Sequence, residues 1–251
     1  AGSYIGKFLS VYLDDFGFEV IRSSTIDCDL LCEGALKNYF KKIPKKKHTI
    51  IFLSTVNQSD ADSIKGFEKN VRILRNFVEE IDPGKVSSII YFSTVKVYGD
   101  MPKLPISEIT LTKQVDWYSL GKITCEWILT YSLGKKFPIT ILRIPGIFGK
   151  GDRERSIIGS FVENINLKGK VLVFGSGRTK RDYVYLPDLS KIVAQLVENY
   201  PNKSLGILNI ASGNEYSIIE LLEKIRNALG KKFTIEYSED SKNNFDLIFD
   251  N

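Results

Sequence analysis

The feature that most constrains this chain is an alternation, over residues 1–150, of short continuously apolar runs with amphipathic stretches. Phe18–Ile21, Thr49–Leu53, Val86–Phe92 and Ile139–Ile144 read as strands. Tyr4–Phe16, Ala35–Phe40, Ile64–Glu80 and Tyr118–Tyr131 read as helices. Strands that are apolar throughout must be covered on both faces, so the pattern predicts a parallel sheet between helical layers. Such sheets bind ligands beyond the carboxyl ends of their strands. After residue 150 the rhythm changes. Helices are expected at Ile157–Ile165, Leu189–Glu198 and Ile218–Leu229, and strands at Val171–Phe174, Ile207–Ile210 and Phe233–Tyr237. No low-complexity linker separates the two parts, which predicts a second lobe packed on the first.

Length and composition narrow the class. At 251 residues the chain accommodates one nucleotide-binding domain with a smaller lobe. No run approaches the roughly 18 apolar residues of a membrane helix, and no leader-like segment opens the chain. The three cysteines, Cys28, Cys32 and Cys125, form no ligand motif and read as reduced thiols, which places the protein in the cytoplasm. His48 is the only histidine, so no metal site is expected. Much of the net charge of +5 sits in Lys37, Lys41, Lys42, Lys45, Lys46 and Lys47, around one helix end. A solvated basic face explains this more simply than nucleic acid, since no aromatic residues are interleaved for base stacking.

Two segments bear on a dinucleotide. Ala1-Gly2-Ser3-Tyr4-Ile5-Gly6 runs straight into a helix and fits the latter part of a GxxGxxG turn, with Ser3 in the middle glycine's place and Gly6 as the third. Such a turn aims backbone N–H groups at a diphosphate; an ordinary glycine-containing helix start reads equally well. The strand that should precede the turn is expected to lie before Ala1. At the end of the second apolar run stand Arg22, Ser23 and Ser24. A carboxylate there would favour NAD; a cation with hydroxyls suits a 2′-phosphate and favours NADP, unless Arg22 merely faces solvent.

The chemistry concentrates after the third strand. It delivers Ser93-Thr94-Val95-Lys96-Val97-Tyr98-Gly99, and Trp117-Tyr118-Ser119-Leu120-Gly121-Lys122 then opens a helix. Tyr118 and Lys122, four apart, share a helical face. An ammonium beside the phenol is expected to lower its pKa and make Tyr118 a usable acid or base, with Thr94 bonding the same reacting oxygen. A second YxxxK match, Tyr131 to Lys135, runs into Gly134 and Pro138 and reads as a helix end.

These residues occur in order with Leu142-Arg143-Ile144-Pro145-Gly146-Ile147-Phe148-Gly149, Arg181-Asp182-Tyr183-Val184-Tyr185 and Leu208-Asn209-Ile210-Ala211-Ser212-Gly213. The series resembles the extended short-chain dehydrogenase/reductase family, the NAD-dependent epimerase/dehydratase group of nucleotide-sugar enzymes. The resemblance implies a Rossmann-like doubly wound sheet over 1–150 that binds NADP or NAD. It also implies a C-terminal lobe over 151–251 that mainly binds a nucleotide-diphosphate sugar, and a homodimer. By the same likeness Thr94, Tyr118 and Lys122 are catalytic, and Lys122 also holds the nicotinamide ribose. Asp29 and Leu30 match the adenine-contacting segment, Leu53, Ser54 and Thr55 the strand end lining the cofactor, Asn70 a helix asparagine, and Pro145 the loop meeting the nicotinamide. The region Arg22–Phe40 is also similar to the GDP-fucose synthase branch, whose members use NADPH, with Asp27–Cys32 as the matching part. The chain departs at Ser3, at Gly146 where many members carry asparagine, and at its end, before a final helical segment usual in the family.

The family's dehydratases follow the threonine with an acidic pair; Val95 and Lys96 stand there instead, which argues against elimination of water. A 4-ketoreductase using NADPH is the favoured reading, ahead of a 4-epimerase using NAD. A regulator that keeps the fold without activity is the alternative of another class, though it would not need the intact triad. For the substrate diphosphate, Arg181 is the expected cation with Arg178 in support. Phe174 is a candidate to pack on the nucleotide base, with core packing as the plainer expectation.

Overall fold

A computed structural model describes residues 2–56, 58–100, 102–152, 156–239 and 246–250. The elements begin with α1 (Tyr4–Asp15), α2 (Ala35–Lys42), β1 (His48–Phe52), α3 (Gln58–Ala61), α4 (Ile64–Glu80) and β2 (Val86–Thr94). They continue with α5 (Trp117–Leu133), β3 (Ile139–Ile144), β4 (Gly146–Phe148), α6 (Ile157–Lys168), β5 (Lys170–Phe174) and β6 (Lys180–Tyr185). The last are α7 (Leu186–Asn199), β7 (Gly206–Asn209), β8 (Glu215–Ser217), α8 (Ile218–Leu229) and β9 (Thr234–Ser238). Compactness separates two units. One comprises Ala1–Gly99, Thr112–Ile144 and Pro187–Asn209; the other comprises Asp100–Leu111, Pro145–Leu186 and Ile210–Asn251. The chain thus leaves the first unit and returns to it, where the sequence pattern points to a single change near residue 150.

The first unit is built on a parallel sheet in the order β1-β2-β3-β7. Its two central strands are almost fully buried, as a sheet covered on both faces requires, with an apolar run at Ile89–Phe92 in β2 and hydroxyl residues on either side of it. Helices α4 and α5 pack on one another, and Leu74 and Phe77 share one core with Leu129, Leu133, Ile89 and Ile141. A side chain at Gly66 would lie 2.1 Å from the Asp60 carbonyl oxygen, so only glycine lets the start of α4 abut α3. The run Phe18–Ile21 departs from expectation. It finds no ladder partner among the described residues and is not a strand.

The second unit holds a three-stranded sheet, β4-β6-β8, and the parallel pair β5-β9. Its core joins Phe161 and Ile165 of α6 to Leu222 and Ile225 of α8, with Val171, Val173 and Tyr183 between. Ser217 and Glu220 form a reciprocal capping box that starts α8. Strand β6 reads Lys-Arg-Asp-Tyr-Val-Tyr, too polar for its composition to announce a strand; ladder partners on both sides make it one. No described helix is long and apolar enough to cross a membrane.

Candidate active site

The carboxyl end of β2 meets the first turn of α5. Thr94 ends the strand, buried at 7% exposure, and its hydroxyl oxygen accepts the Lys96 N–H at 3.3 Å, capping a short 3-10 turn over Val95–Tyr98. Gly99 closes that turn at φ +75°, where a side chain would lie 2.0 Å from the Lys113 carbonyl oxygen. Asp116 caps α5 by accepting from Ser119 N at 2.6 Å, while the Ser119 hydroxyl takes the Asp116 N–H. Tyr118 therefore enters in a fixed first turn, with the Thr94 hydroxyl close enough to oppose the rise of its pKa. Lys122, one turn on, is 6% exposed.

The expected proximity is met, but its electrostatics are not. Lys122 Nζ donates to the Phe92 carbonyl at 3.0 Å and lies 5.3 Å from the centre of the Tyr91 ring. Burial lowers its pKa to about 8. Burial also pushes the Tyr118 phenol up to about 12; the Thr94 hydroxyl opposes this and the Asp116 carboxylate adds to it. A lowered phenol was the sequence expectation. Desolvation overrides it because Lys122 is turned toward the strand backbone. The cation beside the Tyr118 ring is instead Lys96, 5.8 Å from the ring centre and ion-paired to Asp116 at 3.8 Å.

Beneath these groups lies a polar layer that sequence reasoning missed. Glu126 and Arg143, 2% and 3% exposed, make a two-pronged ion pair at 2.7 and 3.2 Å. Ser93 donates to Glu126, and the Arg143 guanidinium stacks 4.9 Å from the Tyr98 ring, whose hydroxyl donates to Asn209 at 2.7 Å. Lys122 and Glu126 are four apart on α5, a spacing that offered the only signal. The partners on β2, β3 and β7 depend on strand register, which local pattern does not give.

The segments assigned to a cofactor divide. Leu53, Ser54 and Thr55 follow β1, and Asn70 holds them: its side-chain oxygen accepts from Thr55 Oγ1 at 3.1 Å and Val56 N at 2.8 Å. The other end of that amide, Nδ2, is buried with no partner among the described residues. That orphaned donor, with Lys122 Nζ on the neighbouring helix, fits a polar ligand over the strand ends. At the chain start Ser3 caps α1 by accepting from Gly6 N at 3.2 Å, the behaviour of an ordinary helix start. A side chain on Gly2 would reach Ser24 at 3.9 Å, so Gly2 lies near Ser24, while Tyr4 and Ile5 form the first turn of α1. Arg22 is paired with Asp14 and also donates to the Ser10 carbonyl at 3.2 Å, which ties it to α1. Ser24 binds Asp27 through N at 2.9 Å and Oγ at 2.7 Å. Asp29 accepts Leu31 N at 3.0 Å, and the Leu30 carbonyl accepts from Asn76 at 2.7 Å.

Pro145, Phe174, Arg178 and Arg181 belong to the second unit. Arg181 is largely buried, and burial lowers its pKa against the pull of Tyr183, Asp100 and Asp246. Arg178 is exposed on the turn before β6. Phe174 is 57% exposed, which removes core packing as its role. Tyr131 is 81% exposed and Lys135 lies past the end of α5, so the second YxxxK match is a helix end.

The model of the NAD dependent epimerase/dehydratase family matches residues 2–211. A probable UDP-arabinose 4-epimerase of Arabidopsis thaliana is 25% identical over 203 residues, 72% of this chain and 49% of the relative. GDP-L-colitose synthase of Yersinia pseudotuberculosis is 23% identical over 259 residues, 95% of this chain and 83% of the relative. The chain spans about half the length of several of the curated relatives it matches. Among solved structures, RMD from Pseudomonas aeruginosa, complexed with NADPH, superposes with a TM-score of 0.84 at 18% identity, covering 99% of this chain and 86% of that one. A UDP-glucose 4-epimerase from Thermotoga maritima gives 0.83 at 18% identity, covering 99% and 87%. At such identities the likeness is one of fold, the Rossmann-like α/β architecture.

Proposed function

The chain belongs to the NAD-dependent epimerase/dehydratase family, and from that premise we propose that it is an oxidoreductase acting on a nucleotide-linked sugar, working as an NADPH-dependent 4-ketoreductase. The observation that carries this reading is the meeting of Thr94 at a strand end with Tyr118 at a helix start, with Lys122 buried one turn away. The first unit holds the cofactor and the second takes the sugar nucleotide, with Arg181 set against its diphosphate, Arg178 in support and exposed Phe174 beside the base. A bound nicotinamide supplies the hydride. Leu53–Thr55 and Asn70 line its place, and Lys122 holds its ribose. Tyr118, kept protonated at neutral pH by a pKa of about 12, gives its proton to the carbonyl oxygen as the alcohol forms. Thr94 bonds that same oxygen and keeps it within reach of the phenol.

The Arg22 cation with the Ser23 and Ser24 hydroxyls supports NADPH and with it the reductase. One observation supports a 4-epimerase using NAD instead: Arg22 is engaged by Asp14 rather than open toward a 2′-phosphate. The discriminating experiment offers nucleoside-diphosphate 4-keto sugars with NADPH. Net oxidation of NADPH is expected; interconversion of sugar epimers without net redox change would overturn the reductase. The protein is further proposed to act in the cytoplasm as a homodimer covering the exposed Trp127 and Tyr131 of α5, which analytical ultracentrifugation checks.

A further inference from the structure

Tyr118 and Thr94 come from segments distant in sequence, and one residue touches both. The backbone N–H of Lys96 donates to the Thr94 hydroxyl oxygen at 3.3 Å. The side chain of the same residue crosses to α5, where its ammonium lies 5.8 Å from the centre of the Tyr118 ring and 3.8 Å from the Asp116 carboxylate. Lys96 and Asp116 each stand two residues from a reacting hydroxyl, the first after Thr94 and the second before Tyr118. We propose that Lys96 is a positioning residue of this site: clasped by Asp116, it joins the strand end to the helix start and brings its positive charge to the Tyr118 side chain. The inference rests on the proposed role of Tyr118.

The chemistry follows from the groups that act on the phenol: Asp116, which caps α5, and Tyr91, Thr94 and Lys96 from β2 and the turn after it. On the same elements Lys122 is turned to the Phe92 carbonyl, and Asp62, ahead of α4, accepts the Trp117 N–H at 3.0 Å. Lys122 is committed to the Phe92 carbonyl and the Tyr91 ring, so Lys96 is the cation held within cation–π range of the Tyr118 ring. It offsets Asp116, a negative charge that opposes the phenolate. The backbone bond has its own effect. With one lone pair of Thr94 Oγ1 taken by the Lys96 N–H, the threonine hydroxyl keeps its proton to offer to the reacting oxygen. Lys96 is 37% exposed at its side chain, so its replacement leaves the core intact.

The test is a charge series at one position, with kcat and KM read for a 4-keto sugar nucleotide and NADPH and, in reverse, for the product sugar and NADP. Lys96→Arg is expected to stay near wild type. Lys96→Met lowers kcat about 5-fold and Lys96→Glu about 25-fold, the size of a cation–π contact at a partly exposed site removed and then reversed. KM for the sugar and the thermal midpoint stay unchanged, and the rising pH limb of the oxidation direction moves upward in the same order. Equal effects of Met and Glu, or an Arg variant as poor as Met, would overturn the inference. Tyr118→Phe, assayed in parallel, keeps the two ideas apart. If it retains full turnover, or if no sugar nucleotide in the panel is turned over, the proposed reaction itself fails and Lys96 loses its role. If Tyr118→Phe is inactive while the Lys96 series is flat, only the clasp is lost.

Discussion

The two ends of the proposed cofactor site in the first unit are built differently. At the Tyr118 end the polar groups are buried and mutually engaged: Thr94 with the Lys96 N–H, Lys122 with Phe92, and Glu126 with Arg143 and Ser93. At the Arg22 end they are exposed and engaged locally: Arg22 with Asp14, Ser24 with Asp27, and Ser3 with Gly6. Buried polar groups are costly to rearrange, whereas exposed pairs contribute only about 0–1 kcal/mol and are easily exchanged for a ligand. On the proposed function, the chemistry is anchored in the core, while cofactor choice is left to a surface that a bound phosphate can remodel.

The comparison is broken most directly by Tyr118→Phe. Loss of a positioned general acid lowers turnover by about 100- to 10,000-fold with dinucleotide binding retained, as isothermal calorimetry and single-turnover kinetics would show. Wild-type turnover would remove the phenol from the reaction. Next in size is Glu126→Ala, which strands the Arg143 charge in the core and costs about 3–5 kcal/mol in urea unfolding. Replacing both partners with apolar residues of similar volume restores most of that stability, since the lone charge is then gone. Arg181→Ala sharpens the account of the second unit. A charged contact to the substrate diphosphate is worth about 1.5–3 kcal/mol, so KM rises roughly 10- to 100-fold while kcat changes little. Smallest is Arg22→Ala: NADPH affinity falls by about 3- to 10-fold and NADH affinity stays constant, the size of one exposed phosphate contact offset by the broken Asp14 pair. Unchanged NADPH binding would leave Arg22 a surface residue and favour NAD.

The same contrast explains what could be read from residues alone. The strands Val86–Thr94 and Ile139–Ile144 were legible because burial on both faces selects mostly apolar, β-branched and aromatic residues, and α4 and α8 because their caps and periodicity agree. Thr94, Tyr118 and Lys122 were legible as a set because strand end, helix start and spacing coincide. The direction of the Lys122 ammonium was not, since a backbone carbonyl on β2 captured it. Strand β6 escaped because its polar residues reveal themselves as ladder members only once β4 and β8 flank it; Asp182, for instance, accepts the Ser212 and Gly213 N–H groups. The run Phe18–Ile21 failed for the opposite reason: apolar composition makes a strand only where a partner pairs with it. Lys96 was noticed for the carboxylate it replaces; its hold on Asp116 and Tyr118 is a tertiary fact.

The central claim is that a phenol at a helix start, Tyr118, serves hydride transfer to a sugar carbonyl. NADPH deuterated at the nicotinamide, incubated with a nucleoside-diphosphate 4-keto sugar, tests it by NMR of the product. Deuterium is predicted at the former carbonyl carbon with wild type and at background level with Tyr118→Phe. Label retained in the cofactor, or equal transfer by both proteins, would contradict it.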